Sequence, residues 1–308
     1  MIVIVCPGQG SQTPGFFSPW LELPSFRESI QAMQDASGVD LIAHGTTSDA
    51  DTIRDTAIAQ PLIVAAGVAT MSALLNGKTL KEIGVAGISG HSVGEITAAV
   101  GAGIFDAQTA IGFVNTRGKA MAKAAALEPT SMAAIIGGEQ SEIEIKLTAL
   151  DLEPANYNGA GQIVAAGQAQ KITDLQADPP AGSRVIPLQV AGAFHTRFMQ
   201  PAVQVLDDYS KGITAMDPEL TIWSNQSGQV VSSGDEFIQL MVSQISSPVR
   251  WDYCMKSMLD AGVTAIIELA PAGTLVGLAK RGMPGVETLA VKTPENLEQA
   301  LSLIDKHQ

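Results

Sequence analysis

Hydrophobic and polar positions divide the chain into short apolar runs and longer segments with helical periodicity. The apolar runs predict buried strands at 1–7, 83–90, 220–225 and 263–271. The periodic segments predict helices at 24–36, 57–77, 94–105, 106–126, 201–216, 235–246, 247–262 and 295–307. The strands do not alternate strictly between apolar and polar residues, which is typical of a parallel sheet covered on both faces. Ser25 and Glu28 have the spacing of a capping box at the start of the first helix.

The middle of the chain has a different order of elements. Strands are predicted at 131–138, 152–158, 161–168 and 183–194, and helices at 141–150 and 170–178. The order β-α-β-β-α-β is that of a ferredoxin-like unit. We therefore expect a small ferredoxin-like domain over residues 127–196, inserted into a large α/β domain formed by residues 1–126 and 197–308.

Composition and charge narrow the classes of partner. Of 308 residues, 46% are hydrophobic, which provides enough apolar surface for a large core. The formal net charge of −13 argues against nucleic acid or an anionic membrane as the main partner. Cys6 and Cys254 are far apart and match no metal-binding spacing, so we expect reduced cysteines in a cytoplasmic protein and no metal site.

The first residues and one long apolar segment bear on membranes and targeting. The N-terminal apolar run is short and has no basic segment before it, so no signal peptide is expected. Segment 57–77 is uncharged and long enough to span a membrane. It contains Gln60 and Pro61 and follows acidic residues, which favours a buried core helix.

Residues Gly90-His91-Ser92-Val93-Gly94 match the pattern G-x-S-x-G between a predicted strand and a predicted helix. In serine acyl-transfer enzymes this pattern forms a tight turn that lifts the serine hydroxyl above the sheet. The amide of Val93 would begin the helix and point at the same place, where it can stabilise an oxyanion. The alternative is an ordinary loop serine, but the flanking strand and helix favour a nucleophile.

A serine nucleophile needs a base, and the chain has four histidines. His307 lies in the C-terminal tail, His44 has no polar constellation beside it, and His91 is expected to make a structural hydrogen bond on the turn. His195 follows the last predicted strand of the small domain, where the chain returns to the large domain. His195 is therefore the predicted base, and a structural interdomain histidine is the alternative.

Two further features add candidate chemistry. The loop "PGQGSQ" follows the first strand, at the edge where α/β proteins place their sites, and could bring the amide of Gln9 close to Ser92. This loop lacks the third glycine of a dinucleotide-binding loop. Arg117 lies on a predicted helix in an apolar setting, where it could bind a substrate carboxylate through two parallel hydrogen bonds or form a surface ion pair.

Several motifs occur in an order that resembles the malonyl-CoA:acyl-carrier-protein transacylase family of type II fatty-acid synthesis. They are "PGQGSQ", "GHSVGE", "TRGKAM", "NYN…GQIVAAG", "AFHTRFM", "QISSPVRW" and "ELAPAGTLVGLAKR". The resemblance covers nearly the whole chain and implies an α/β-hydrolase-like parallel-sheet domain with an inserted ferredoxin-like domain. It also implies transfer of a malonyl group from malonyl-CoA to the phosphopantetheine thiol of acyl carrier protein through a malonyl-serine intermediate, without a bound cofactor.

The resemblance implies a catalytic role for each matching residue. Ser92 would be the nucleophile and His195 the general acid and base. The amides of Gln9 and Val93 would form the oxyanion hole. Gln244 lies where the family orients its histidine through a main-chain carbonyl.

The resemblance also implies residues that bind the substrate. Arg117 would bind the free carboxylate of the malonyl group. Asn156 and Asn158 match positions that line the family's pocket, although from the sequence alone they could be turn formers. Phe194 stands where many members have serine, which suggests a pocket too tight for a 2-methyl group.

The carrier protein of this family is usually acidic, and so is this chain, so we expect docking to need a local basic rim. The candidate residues are Lys119, Lys123, Arg184, Arg197, Lys280 and Arg281. Scattered solvated charges are the alternative.

Other functions remain open from the sequence. A serine esterase or thioesterase would use the same turn and base, and an acyltransferase that serves a polyketide synthase would have a similar sequence. A non-catalytic protein with a vestigial turn is less well supported, because a nucleophile, a base and a carboxylate-binding arginine are all present.

Overall fold

The computed structural model describes residues 1–190 and 192–308. The strands are β1 (Ile2–Cys6), β2 (Gly87–Gly90), β3 (Thr130–Gly137), β4 (Glu153–Gly159), β5 (Gln162–Gln168), β6 (Ser183–Pro187), β7 (Thr221–Trp223), β8 (Val249–Arg250), β9 (Ala265–Glu268) and β10 (Glu287–Ala290). The helices are α1 (Pro24–Ser37), α2 (Leu41–Thr46), α3 (Thr56–Leu75), α4 (Gly94–Gly101), α5 (Ala107–Ala125), α6 (Gln140–Ala149), α7 (Ala169–Ala177), α8 (Gln200–Ser210), α9 (Gly234–Gln244), α10 (Trp251–Asp260), α11 (Thr274–Gly282) and α12 (Asn296–His307).

The first sheet is parallel throughout and has the strand order β10-β9-β1-β2-β7. All five residues of its central strand β1 are buried. Because successive side chains point to opposite sides of a strand, β1 is therefore covered on both faces. Ile2 and Ile4 belong to the large core that includes α3, α4 and α5, whereas Val3 and Val5 pack with α10 and α11. The predicted parallel sheet with helices on both faces is therefore confirmed.

The long apolar segment forms α3, which packs against α1, α4, α5 and α12. By length and composition α3 could span a membrane, but 78% of its most apolar window is buried inside the protein. Gln60 and Thr70 are buried within it, as is Pro61. The segment is thus a core helix, as its polar residues and proline indicate.

The second sheet has the strand order β6-β3-β5-β4-β8. Strands β3 to β6 pair antiparallel and pack on α6 and α7 through a separate core that includes Ile135, Ile143 and Leu175. The element order β3-α6-β4-β5-α7-β6 is the predicted ferredoxin-like one. Strand β8 comes from the other part of the chain and pairs parallel with β4. The domain bounds at residues 127 and 196 stay a prediction.

Several local predictions differ from the structure. The capping box is wrong, because α1 begins at Pro24 and its N-cap residue Leu23 makes no side-chain cap; proline at the first position presets the helical φ instead. The strand predicted at 183–194 ends at Pro187, and Ala191 within that range lies outside the described residues. The helix predicted at 247–262 begins only at Trp251, since β8 occupies the preceding residues.

Candidate active site

The serine turn lies at the carboxyl end of β2, next to the end of β1. Ser92 has a φ of 54°, a left-handed conformation that is strained for a residue with a side chain. A Cβ on Gly90 would lie 2.0 Å from the carbonyl carbon of Gly94, and a Cβ on Gly94 would lie 2.2 Å from the oxygen of Cys6. Only glycine fits at both positions, so the pattern G-x-S-x-G follows directly from backbone contact.

The structure brings Ser92 and His195 together, although in the sequence Ser92 precedes strands β3 to β6 and His195 follows them. Ser92 Oγ is 2.7 Å from His195 Nε2. His195 Nδ1 is 2.8 Å from the main-chain oxygen of Gln244, and that carbonyl can only accept. Nδ1 therefore carries the proton, and the lone pair of Nε2 faces the serine hydroxyl.

Burial and the positive charge of Arg117 lower the pKa of His195 to about 3. The imidazole is only 4% exposed and is therefore neutral at physiological pH. A neutral imidazole that contacts a hydroxyl through Nε2 can accept its proton. A main-chain carbonyl takes the orienting place that an aspartate has in many serine enzymes.

The other three histidines have other hydrogen-bond partners, although His91 also lines the cavity beside Ser92. His91 Nε2 is 2.9 Å from Asn158 Oδ1, and burial lowers the pKa of His91. His44 contacts the hydroxyl of Ser48 at 3.0 Å, and His307 is 3.0 Å from a carboxylate oxygen of Glu287.

The guanidinium of Arg117 is buried beside the serine. It donates to Gln60 Oε1 at 2.7 Å, to Gln244 Oε1 at 3.0 Å and to Ser92 Oγ at 3.3 Å. The alternative of a surface ion pair is excluded, because Arg117 is 2% exposed. Burial lowers its pKa to about 10, so it remains charged at neutral pH. Gln60 was not predicted as a site residue, although it stands out as a polar residue in an uncharged helix.

A buried glutamate, Glu95, lies close enough to Arg117 for their charges to interact. Glu95 Oε1 accepts from the amide of Asn225 at 2.6 Å, and Glu95 Oε2 accepts from Gln244 Nε2. Burial raises the pKa of Glu95 to about 8, although the hydrogen bond from Asn225 and the charge of Arg117 oppose this shift. The sequence reasoning missed Glu95 and Asn225, and only the final letter of "GHSVGE" points to Glu95.

Gln9 and Val93 both line the cavity beside Ser92. Within residues 1–190 and 192–308, neither main-chain amide donates a hydrogen bond to another protein atom. The Gln9 side chain is 3.4 Å from the main-chain oxygen of Arg54 and equally far from the hydroxyl of Thr56. These contacts tether the loop that carries the first amide, while Val93 directly precedes α4. Both amides are available to bind an oxyanion.

The cavity has a volume of about 90 Å³ and lies between the two sheets. The residues that line it include Gln60, Ser92, Met132, Asn156, Phe194 and His195. Asn156 and Phe194 therefore lie at the cavity beside Ser92, and their role in substrate binding stays a prediction. Asn158 is not among the lining residues, but its side chain is paired with His91, which does line the cavity. Among the described residues, no three His, Cys, Asp or Glu side chains form a group that could hold a metal ion.

The chain was compared with known families and structures. Residues 3–296 match the acyl transferase domain family. A malonyl CoA-acyl carrier protein transacylase of Mycobacterium tuberculosis is 47% identical over 303 residues, covering 98% of this chain and 100% of that protein. The crystal structure of MCAT from Mycobacterium tuberculosis has a TM-score of 0.92 and 46% identity, covering 98% of this chain and 99% of that one.

A second similar structure contains a partner protein. It is a malonyl-transacylase in complex with its type II PKS acyl-carrier protein, with a TM-score of 0.89 and 28% identity. The alignment covers 98% of this chain and 99% of that chain. The likeness therefore extends over both sheets and the cavity between them.

Proposed function

Because this chain belongs to the acyl transferase domain family and, within it, to the malonyl CoA-acyl carrier protein transacylases, we propose that it moves a malonyl group from malonyl-CoA to the phosphopantetheine thiol of acyl carrier protein. This reaction supplies chain elongation in fatty-acid synthesis. One observation carries the proposal: Ser92 Oγ lies 2.7 Å from His195 Nε2 and 3.3 Å from the buried Arg117 guanidinium.

In the first half-reaction, His195 Nε2 takes the proton of Ser92 as Oγ attacks the thioester carbonyl carbon of malonyl-CoA. The carbonyl oxygen becomes an oxyanion that accepts from the amides of Gln9 and Val93, and each such donor is worth about a hundredfold in rate. The carbon–sulfur bond then breaks, and His195 returns the proton to the departing coenzyme A thiol. The product is malonyl-Ser92.

The second half-reaction reverses these steps with a different thiol. The phosphopantetheine thiol of the carrier loses its proton to His195 and attacks the malonyl-serine ester. The same two amides stabilise the second oxyanion. The ester bond breaks, Ser92 regains its proton from His195, and the malonyl group leaves on the carrier. No step requires a cofactor, and we propose that none is bound.

Arg117 provides the selectivity for a malonyl group. Its buried cation lies beside the nucleophile, where the free carboxylate of a malonyl ester can reach it. An acetyl group has no charge to offer this cation. The cavity of about 90 Å³ holds only a few waters, which favours transfer to a thiol over hydrolysis.

Carrier docking needs positive charge on an acidic protein, and the structure reduces the proposed basic rim. Arg197 already forms ion pairs with Glu153 at 2.5 Å and with Asp151 at 3.0 Å. Lys119 and Lys123 line an open groove between α5 and α8, and we propose these lysines as part of the docking surface. We place the protein in the cytoplasm, where its carrier and malonyl-CoA would occur together.

A second candidate is service to a polyketide carrier. The observation in its favour is the likeness, at 28% identity, to a malonyl-transacylase in complex with a type II PKS acyl-carrier protein. The chemistry at Ser92 would be the same, and only the carrier would differ.

The test is a transfer assay with malonyl-CoA and holo-acyl carrier protein, in which malonyl-carrier and free malonate are both quantified. We expect malonyl-carrier to accumulate with one coenzyme A released for each group transferred. Ser92→Ala and a carrier without phosphopantetheine are the controls, and both should form no malonyl-carrier. Release of malonate in place of transfer would show a thioesterase instead.

A further inference from the structure

The strained conformation of Ser92 must be held by its surroundings, because a residue with a side chain relaxes from the left-handed region when nothing opposes it. We infer that Asn225 is the positioning residue that holds the nucleophile turn. This inference rests on the proposed function, in which Ser92 is acylated. It assigns a role to a residue outside the cavity lining.

The Asn225 side chain bonds the backbone on both sides of the turn. Its Oδ1 accepts from the amide of Ser92 at 2.7 Å, and its Nδ2 donates to the main-chain oxygen of Gly90 at 2.7 Å. A carboxamide is suited to this because it carries an acceptor and a donor on one planar group. The turn between β2 and α4 is thereby closed by a side chain.

Asn225 is itself fixed from several directions. It is fully buried and lies two residues after β7, which pairs parallel with β2. Its main-chain amide donates to Glu95 Oε1 at 2.6 Å, and Gln244 Nε2 is 3.2 Å from its Oδ1. We call the Asn225 side chain and its two bonds to the turn the clamp. Glu95 belongs to α4, so the clamp is attached to the strand before the turn and to the helix after it.

The clamp also determines which amides remain free. Since the Ser92 amide is bound to Asn225, it cannot serve the oxyanion, and Val93 presents the next amide to the cavity. Without the clamp, Ser92 would relax and its Oγ would move away from His195 Nε2. Every acyl group would be affected equally, in contrast to a change at Arg117.

The experiment measures the rate of acylation of Ser92 by malonyl-CoA and by acetyl-CoA with rapid quenching, in Asn225→Ala and in the unsubstituted protein. A fluorophosphonate that labels reactive serines is a second probe, because it reports nucleophile geometry without any malonyl recognition. The matched control is Ser89→Ala, since Ser89 Oγ donates to the main-chain oxygen of Trp223 at 3.2 Å in the same pair of strands and, unlike the Asn225 side chain, does not bond the backbone of Ser92 or Gly90.

We expect Asn225→Ala to lower the maximal acylation rate about thirtyfold, the rate equivalent of two ordinary hydrogen bonds. The fall should be the same for malonyl-CoA, acetyl-CoA and the fluorophosphonate, with KM changed by less than about twofold. Ser89→Ala should react at the unsubstituted rate. Folded Asn225→Ala that reacts at the unsubstituted rate would overturn the inference.

Asn225→Asp covers the case in which the alanine variant does not fold. It keeps the shape and the acceptor but removes the donor to Gly90, and we expect about a fivefold slower reaction with all three probes, the equivalent of one ordinary hydrogen bond. An unchanged rate, or failure of both variants to fold, would show a purely structural residue and overturn the inference. If the unsubstituted protein reacts with the fluorophosphonate but not with malonyl-CoA, the proposed function fails while the clamp remains tested.

Discussion

Replacing Arg117 by alanine removes the cation that lies beside the nucleophile and leaves the serine and the histidine in place. The structure shows what this change disturbs. Gln60 Oε1 and Gln244 Oε1 lose their donor, so acylation by every substrate should slow. The diagnostic quantity is therefore the ratio of kcat/KM for malonyl-CoA to kcat/KM for acetyl-CoA, in which this common loss cancels.

The magnitude follows from the partners of the guanidinium. Three of its five N–H groups are used by Gln60, Gln244 and Ser92, so an acetyl substrate does not leave the cation unpaired. Discrimination is then smaller than the roughly ten-thousandfold that a site with an unpaired buried group can reach. A malonyl carboxylate would accept two charge-assisted hydrogen bonds from Arg117, which an acetyl group cannot accept. These two bonds are worth about 3 kcal/mol, or on the order of a hundredfold in the malonyl-to-acetyl ratio of kcat/KM.

The assay measures acylation by both thioesters across concentrations, for the unsubstituted protein and for three variants. Arg117→Ala should lower the malonyl-to-acetyl ratio on the order of a hundredfold. Arg117→Lys keeps the charge without the planar fork and should fall between the two. Arg184→Ala, at an exposed arginine on β6, is the control and should not change the ratio. A ratio unchanged in Arg117→Ala would refute carboxylate binding by this residue.

Three further predictions concern the base, the turn and the pocket. Because the pKa of His195 is lowered to about 3, the imidazole stays neutral as pH falls, and stopped-flow acylation should retain more than half of its maximal rate at about pH 5; half-loss near pH 6.5 would contradict this. Gly90→Ala should lower the unfolding temperature or prevent folding, because its Cβ would lie 2.0 Å from backbone, whereas Gly277→Ala in α11, where space is open, should be neutral or stabilising by up to about 1 kcal/mol in thermal unfolding. Phe194→Ser should enlarge the cavity and raise the methylmalonyl-to-malonyl ratio about tenfold in competition assays, and an unchanged ratio would exclude Phe194 from the specificity pocket.

Local patterns predicted the elements with strong periodicity and the turn at Ser92. The parallel sheet, the ferredoxin-like unit and the core helix α3 all follow from runs of ten or so residues that carry their own signal. Helix α11 and strand β10 had no predicted counterpart. The strand β10 is an edge strand with partly exposed side chains, and it lacks the continuous apolar run of a buried strand.

Site residues that belong to a local sequence motif, such as Ser92, could be predicted. Residues that reach the site only through tertiary packing could not. Gln60, Glu95 and Asn225 come from three separate elements and meet only because the sheet and its helices bring them together. Nothing in their local sequence shows which buried partner each will find. Asn158 also depends on tertiary packing, because its side chain pairs with His91, which lines the cavity, and its role in substrate binding stays a prediction.

The most direct test of the acyl-serine reaction is the intact mass of the protein after brief exposure to malonyl-CoA without carrier. We predict a stable increase equal to one malonyl group, located on the peptide that contains Ser92 and removed when holo-carrier is added. Ser92→Ala should show no increase. A malonyl group found elsewhere, or no adduct on a folded protein that still transfers malonyl, would contradict the central role of Ser92.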